Sequence, residues 1–259
     1  GHSVGREGPS IHLGAASASL MGQWLHLPNN SIRTLVACGA AAAIAASFNT
    51  PLAGVIFAME VIVLEYTMTG FTPVILSAVS ATVLTRTVFG DSPAFEVPPL
   101  ELSGLWEIPI ILLLGLLLGA LAAAFNKIMT SCAQLSAHIS VWIKFFVAGL
   151  LTGVVAIFVP QIMGIGYDTL NSALLGNIAI GTLVLILFAK LMVTSVVIGL
   201  GIPGGLIGPS LLMGAVTGAA LGLIAASIFP GSVASPGFYA MLGMGAMMAA
   251  VLQAPLAAL

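Results

Sequence analysis

Residues 107–125 (EIPIILLLGLLLGALAAAF), 141–159 (VWIKFFVAGLLTGVVAIFV) and 178–198 (IAIGTLVLILFAKLMVTSVVI) are apolar runs of helical length. A bilayer core requires about 20 consecutive apolar residues to span it as a helix, and these three runs meet that length. Further apolar runs cover 10–26, 33–47, 51–66 and 72–89, then 208–229 and 237–250, several of them short or interrupted by Gly and Pro. The two-residue alternation of a membrane β-barrel is absent from all of them. The fold class expected is therefore an all-α integral membrane protein. Only 5% of the residues are charged, against about a quarter in a soluble domain, so a water-facing surface is excluded. The six basic residues (Arg6, Arg33, Arg86, Lys127, Lys144, Lys190) are scattered, which removes nucleic acid from the partners considered. Cys38 and Cys132 lie far apart within apolar runs and read as small buried hydrophobes, not as a disulfide or metal pair.

A repeat organises these runs. GREGPSIHLGAA at 5–16 lies over GLIGPSLLMGAV at 205–216, and GAAAAIAASFNTPLA at 39–53 lies over GMGAMMAAVLQAPLA at 243–257. Both blocks come in the same order with nearly the same offset. Internal duplication in membrane transporters often marks two halves of inverted topology with a substrate site near the midplane. The chain divides accordingly into a first repeat over 1–89, an extramembrane loop over 90–106 and a second repeat over 107–259. The loop (GDSPAFEVPPLELSGLW) holds three prolines and three of the eight acids. The first copy has almost nothing before its landmark and the second stops soon after PLA. The chain thus reads as a part of a longer one, cut at both ends.

The shared frame G-x-x-G-P-S has a physical reading. Glycine lets the backbone leave helical geometry and approach a ligand, and proline is tolerated in a first helical turn. Each copy is thus a helix N-terminus preceded by non-helical backbone. Such backbone survives at membrane depth only where it is buried in protein or lines a cavity. A helix N-terminus offers N–H groups and a positive dipole end, which suits a small, loosely held anion. Glu7, in the first copy only, adds a carboxylate whose cost at the bilayer centre is about 2.5–3.5 kcal/mol, which makes it a functional candidate. Ionised, Glu7 competes for the N–H groups that a permeant anion would use; protonated, it releases them. The second copy has Leu206 and Ile207 in place of Arg6 and Glu7 and supplies backbone donors alone.

GREGP at 5–9, GAAAAIAASFNTPLAGVIFAMEV at 39–61 and GIPGGLIGP at 201–209 resemble, in order along essentially the whole chain, the CLC family of chloride channels and chloride/proton antiporters. The resemblance implies an inverted-repeat fold of broken and tilted helices and a homodimer with one pore per subunit. It makes the helices at 51–66 and 72–89 the subunit interface. By the same resemblance Glu7 matches the gating glutamate, the amides of Arg6 and Gly8 match the outer anion site, and those of Leu206, Ile207 and Gly208 line the central one. Chloride is then the transported ligand, protons a second one if transport is coupled, and the bilayer of the cell membrane (the inner one in a bacterium) the setting of a multi-pass protein. No cofactor, no metal site and no enzymatic activity are expected: the four histidines show no ligand spacing and no nucleophile motif occurs.

Two departures bear on mechanism. Ile207 stands where the family carries a phenylalanine, so the backbone donors remain and the ring is lost. Glu60 is followed by Val61, whereas antiporters of the family usually carry a second glutamate there as the inner proton-transfer site. Glu60 and Val61 mark that region, and Glu65 is an alternative acid on another face. This points to passive or weakly coupled chloride movement, with proton antiport by a non-standard route as the alternative and a cation-coupled solute carrier as a distant one. Lesser candidates read as structural: His12 as a satisfied polar contact, Asp168 as a cap of a short helix, Met244, Met247 and Met248 as packing. Asn29, Asn30 and Arg33 read as an interfacial turn, and Lys127 and His138 as residues near the end of the long helix that starts around 107.

Overall fold

The computed structural model describes residues 2–64, 68–91, 95 and 102–258. Ten α-helices follow one another among these residues: α1 Glu7–Trp24, α2 Asn29–Phe48, α3 Pro51–Phe57, α4 Met68–Phe89, α5 Ile108–Leu135, α6 Val141–Phe158, α7 Tyr167–Leu174, α8 Ile180–Gly199, α9 Ile207–Ile228 and α10 Pro236–Leu252. A π-helical turn continues α3 over Ala58–Val63, and short 3-10 turns occupy Leu105–Glu107 and Pro160–Ile162. Six of the described helices are long and apolar enough to cross a membrane. Extended pairing among the described residues is confined to one antiparallel bridge between Gly5 and Gly205. The all-α membrane class read from the apolar runs is the class observed.

The chain forms two compact units, Gly1–Arg6 with Phe95–Gln253, and Glu7–Ala94 with Ala254–Leu259. In the second of these, α1 crosses α2 at a pair of glycines. A methyl group on Gly14 would lie 2.3 Å from the Gly39 carbonyl oxygen, and one on Gly39 would lie 2.2 Å from that of Gly14. The core is built from small residues of α2 (Ala37, Cys38, Ala41, Ala45) closed by Val55, Met59, Val74 and Ala78. Cys38 is a free, buried thiol, as its apolar setting implies.

The other unit repeats that crossing in α9 and α10. A methyl on Gly214 would meet the Gly243 carbonyl oxygen at 2.1 Å, and one on Gly218 that of Tyr239 at 2.0 Å. Gly214 and Gly243 are the repeat counterparts of Gly14 and Gly39, so the duplication is one of helix packing as well as of letters. In an apolar solvent, van der Waals contact between closely approaching backbones replaces the hydrophobic drive that brings helices together in water. The helix ends match too. α2 is stopped by Asn49 in the left-handed region (φ 59°) and α10 by Gln253 (φ 55°), each two residues before the proline of the PLA landmark. Asn at such a position is familiar; Gln is not, and the shared backbone conformation overrides its side chain.

A buried carboxylate ties the start of α5 to the approach to α10. Glu107 is fully buried. Its Oε1 accepts the Ser103 amide at 2.8 Å, while Oε2 accepts the Ala234 amide at 3.1 Å and the Tyr239 hydroxyl. Its neighbour Ser235 then caps α10 by accepting the Phe238 amide, with Pro236 in the first turn. Outward faces remain apolar, among them Leu84, Val88 and Phe89 of α4 and Trp142, Phe146 and Phe158 of α6.

Local differences from the sequence reading have physical causes. The long helix runs to Leu135 and includes Lys127 as expected, and its Thr130 hydroxyl donates to the Asn126 carbonyl. His138 falls after this helix, whose cap is Ser136. Asn29, Asn30 and Arg33 belong to the opening of α2, not to a turn before it. Glu65 and most of the 90–106 loop lie outside the described residues.

The glycine crossings make a direct test. Gly214→Ala forces backbone apart and is expected to cost about 1–3 kcal/mol, while Gly115→Ala, which meets nothing within 4 Å, is expected to be neutral or slightly stabilising. The temperature at which the detergent-solubilised full-length protein loses its monodisperse elution peak should fall for the first and hold for the second.

Candidate functional site

Residues 2–6 lead into the Glu7 helix and belong to the unit built on α5–α10. Their backbone is non-helical, with bends at Ser3 and Arg6, so its polar groups need partners from elsewhere. The Gly164 amide donates to the His2 carbonyl at 3.1 Å. Thr194 of α8 donates its hydroxyl to the Ser3 carbonyl at 2.8 Å, and the Ser3 and Thr194 hydroxyl oxygens are 2.9 Å apart. Gly5 and Gly205 then exchange two main-chain hydrogen bonds, 2.8 Å and 2.7 Å long. These two glycines occupy the same place in the two G-x-x-G-P-S frames. The pairing thus joins the two repeats at equivalent positions.

Beyond Gly205 the chain turns directly into α9. Leu206 is the residue before the helix, and Ile207, Gly208, Pro209 and Ser210 of the first turn are all buried. The Ile207 and Gly208 amides of this turn lie where an α-helix offers no internal carbonyl, while the Ser210 amide donates to the Leu206 carbonyl at 3.0 Å. Proline at position 209 removes one donor that would otherwise need a partner. The Ser210 hydroxyl bonds back to the Ile207 carbonyl at 2.7 Å, so it serves the turn itself and leaves the amides as the chemistry on offer. A buried cation stands in the same unit: Lys190 is fully buried, and its ammonium donates to the carbonyls of Ile162 at 2.9 Å and Gly164 at 2.7 Å. A charge held this deep persists only with such partners.

In the other unit Glu7 opens α1 and is fully buried. Gly8 and Pro9 follow in its first turn. His12 donates from Nδ1 to the Gly8 carbonyl at 3.0 Å, the satisfied local contact expected of it. Glu60 lies on the π-helical turn, a feature frequent at functional sites. Its two carboxylate oxygens accept the amides of Leu256 at 3.1 Å and Ala257 at 2.7 Å. Val61 beside it is 40% exposed. Glu60 is therefore engaged by the backbone of the second PLA landmark.

A family model described as "Voltage gated chloride channel" matches residues 1–259. The chain belongs to the CLC family. The H(+)/Cl(-) exchange transporter ClcA of Vibrio cholerae serotype O1 (strain M66-2) is 32% identical over 98% of this chain and 56% of its own length. A putative chloride channel protein ClcB-like of Ralstonia nicotianae is 33% identical over 99% of this chain and 61% of its own. The chain thus spans little more than half the length of these curated relatives. Among solved structures, a slow cyanobacterial Cl-/H+ antiporter superposes with a TM-score of 0.88 at 26% identity, over 100% of this chain and 62% of that one. A eukaryotic CLC transporter gives 0.75 at 28%, over 98% and 45%.

Of the two helices read from the sequence as carrying the site, α9 has a fully buried first turn, whereas in α1 Glu7 is buried and Pro9 is exposed. Sequence reasoning missed Ser3, Thr194, Lys190 and the Glu107–Tyr239 pair. Hydroxyls are common on apolar helices, and nothing local marks Thr194 as different from Thr217, which bonds back to its own helix at Met213. Glu107 offered a usable signal, a lone acid at the head of a long apolar run. Loss of the Glu60 carboxylate leaves two amides without acceptors. Glu60→Ala should cost about 1–2 kcal/mol, allowing for partial solvent screening, and Glu60→Gln roughly half that. Thermal denaturation of the purified protein reads both.

Proposed function

We propose that the full-length protein carries chloride across a membrane in exchange for protons, with Glu7 as the gate and the proton-bearing group. Burial of Glu7 in the first turn of α1 carries this reading. A carboxylate kept out of water at a helix N-terminus competes, when ionised, for the donors that would hold an anion. On protonation it loses the charge that made it a competitor, and chloride takes its place. The amides of Arg6 and Gly8 would form the outer anion site. Those of Leu206, Ile207 and Gly208 would form the central one, with the Ile207 side chain as an aliphatic wall. Backbone donors, in place of a coordinating ammonium or guanidinium, suit an ion that must leave as readily as it arrives.

Exchangers among the relatives support proton coupling over the passive movement that Val61 alone suggested. Glu60 has both oxygens engaged, which favours an anchoring role over a proton carrier, so the inner proton route would avoid positions 60 and 61. Passive chloride conduction remains the second reading, on the observation that position 61 holds a valine. A homodimer joined through the helices at 51–66 and 72–89 is part of the proposal. The apolar outer residues Leu76, Leu84 and Val88 of α4 are compatible with such a contact.

Paired flux from proteoliposomes tests the reading. Under an imposed chloride gradient, chloride release and external pH are recorded together. Uphill proton movement is expected from the wild type, falling to the level of protein-free vesicles in Glu7→Gln, with chloride release persisting at a changed rate. Chloride release without proton movement in the wild type would select the passive reading. An absence of chloride flux in both would overturn the anion pathway.

A further inference from the structure

We propose that Thr194 and Ser3 are positioning residues for the Glu7 gate, a buried hydroxyl pair that holds the segment leading into it; the inference rests on the gating role given to Glu7 above. Both side chains are fully buried. Each hydroxyl has one hydrogen. Since Thr194 gives its own to the Ser3 carbonyl at 2.8 Å, the 2.9 Å contact between the two oxygens must be donated by Ser3. The result is a closed, directional pair in which α8 grips both the main chain and the side chain of one residue.

Most of the described helical hydroxyls turn back on their own helix; besides Thr194, Ser77 of α4 reaches across, to the Cys38 carbonyl of α2. Thr82, Thr152, Ser195 and Thr217 all donate to the carbonyl four residues earlier in their own helices. Thr194 instead turns its hydroxyl to a segment 191 positions away in sequence. On either side of Ser3 the strand is pinned as well. The His2 carbonyl accepts from Gly164, whose own carbonyl is held by the buried Lys190 ammonium. Val4 packs against Gly204 so closely that a methyl there would lie 2.5 Å from its Cβ. Gly5 is locked to Gly205 by two bonds. The segment is therefore held at four consecutive residues up to Gly5, two residues before Glu7.

A backbone that merely needed satisfying would have been served by Thr194 and the Ser3 carbonyl alone. The second bond, hydroxyl to hydroxyl, restrains the Ser3 side chain and with it the rotation of the strand. Competition between a carboxylate and an anion for the same amides depends on placement to a fraction of an ångström. Loosening this pair would let Glu7 seat less accurately, so that the gate leaks chloride and moves fewer protons for each chloride.

Chloride release and proton movement from proteoliposomes of the full-length protein test this in wild type, Thr194→Val, Thr194→Ser, Ser3→Ala, Glu7→Gln and the Glu7→Gln/Thr194→Val double variant. Thr194→Val keeps the shape and loses the hydroxyl. It is expected to raise chloride release at neutral pH roughly threefold and to lower the protons moved per chloride, while Thr194→Ser restores the wild-type ratio. In the Glu7→Gln background the valine should add nothing, because the group it misplaces is gone. If Thr194→Val does not fold, Ser3→Ala, which spares the bond to the Ser3 carbonyl, should shift both quantities the same way by less. Wild-type ratios in the variants that fold overturn the inference, as does a valine effect of equal size with and without Glu7. A Glu7→Gln protein indistinguishable from wild type would overturn the gating role itself, whatever Thr194 does.

Discussion

Two hydrogen bonds between Gly5 and Gly205 resolve the constraint that shapes the rest of this protein. In a chain with 5% charged residues, non-helical backbone at membrane depth has no water to satisfy it and must find partners inside the protein. The two G-x-x-G-P-S frames each need such backbone ahead of a helix. Pairing one frame's first glycine with the other's satisfies both at once.

The duplication behind this arrangement is physical. Gly14 meets Gly39 as Gly214 meets Gly243, and Asn49 and Gln253 adopt the same left-handed conformation at equivalent helix ends. A common backbone plan carries two different contents. One copy presents a buried carboxylate at Glu7, the other the buried side chain of Ile207. Duplication of the scaffold with divergence at two side chains is an economical way to obtain donors in both copies and a titratable group in one.

Helix positions were legible because an apolar run of membrane length has few alternatives. Their edges were less so. The continuation of α5 through Lys127 was read correctly, but its stop at Leu135, before His138 and with Ser136 as cap, is a boundary that an apolar-run criterion does not detect. The π-helical turn at Ala58–Val63 was illegible for a different reason. The side chains there fit an ordinary helix, and the extra residue per turn coincides with the Glu60 carboxylate meeting amides 196 and 197 positions away. The family motifs pointed to Glu7 and the first turn of α9 directly, since the residues are contiguous and their types unusual in lipid.

The sequence alone therefore determined the membrane class, the repeat, the helix starts at GREGP and GLIGP, and the isolation of Glu7 in an apolar chain. Composition, run length and contiguous motifs are local quantities, and each has a direct cost in hydrocarbon. Partner choice was decided only by the tertiary structure. Thr194 holds Ser3, Lys190 holds the Gly164 turn, Glu107 holds Tyr239, and Glu60 holds the second PLA landmark. Each of these polar groups had to be satisfied somewhere, but a hydroxyl, ammonium or carboxylate carries no record of which distant carbonyl or amide the packed helices will bring within 3 Å of it.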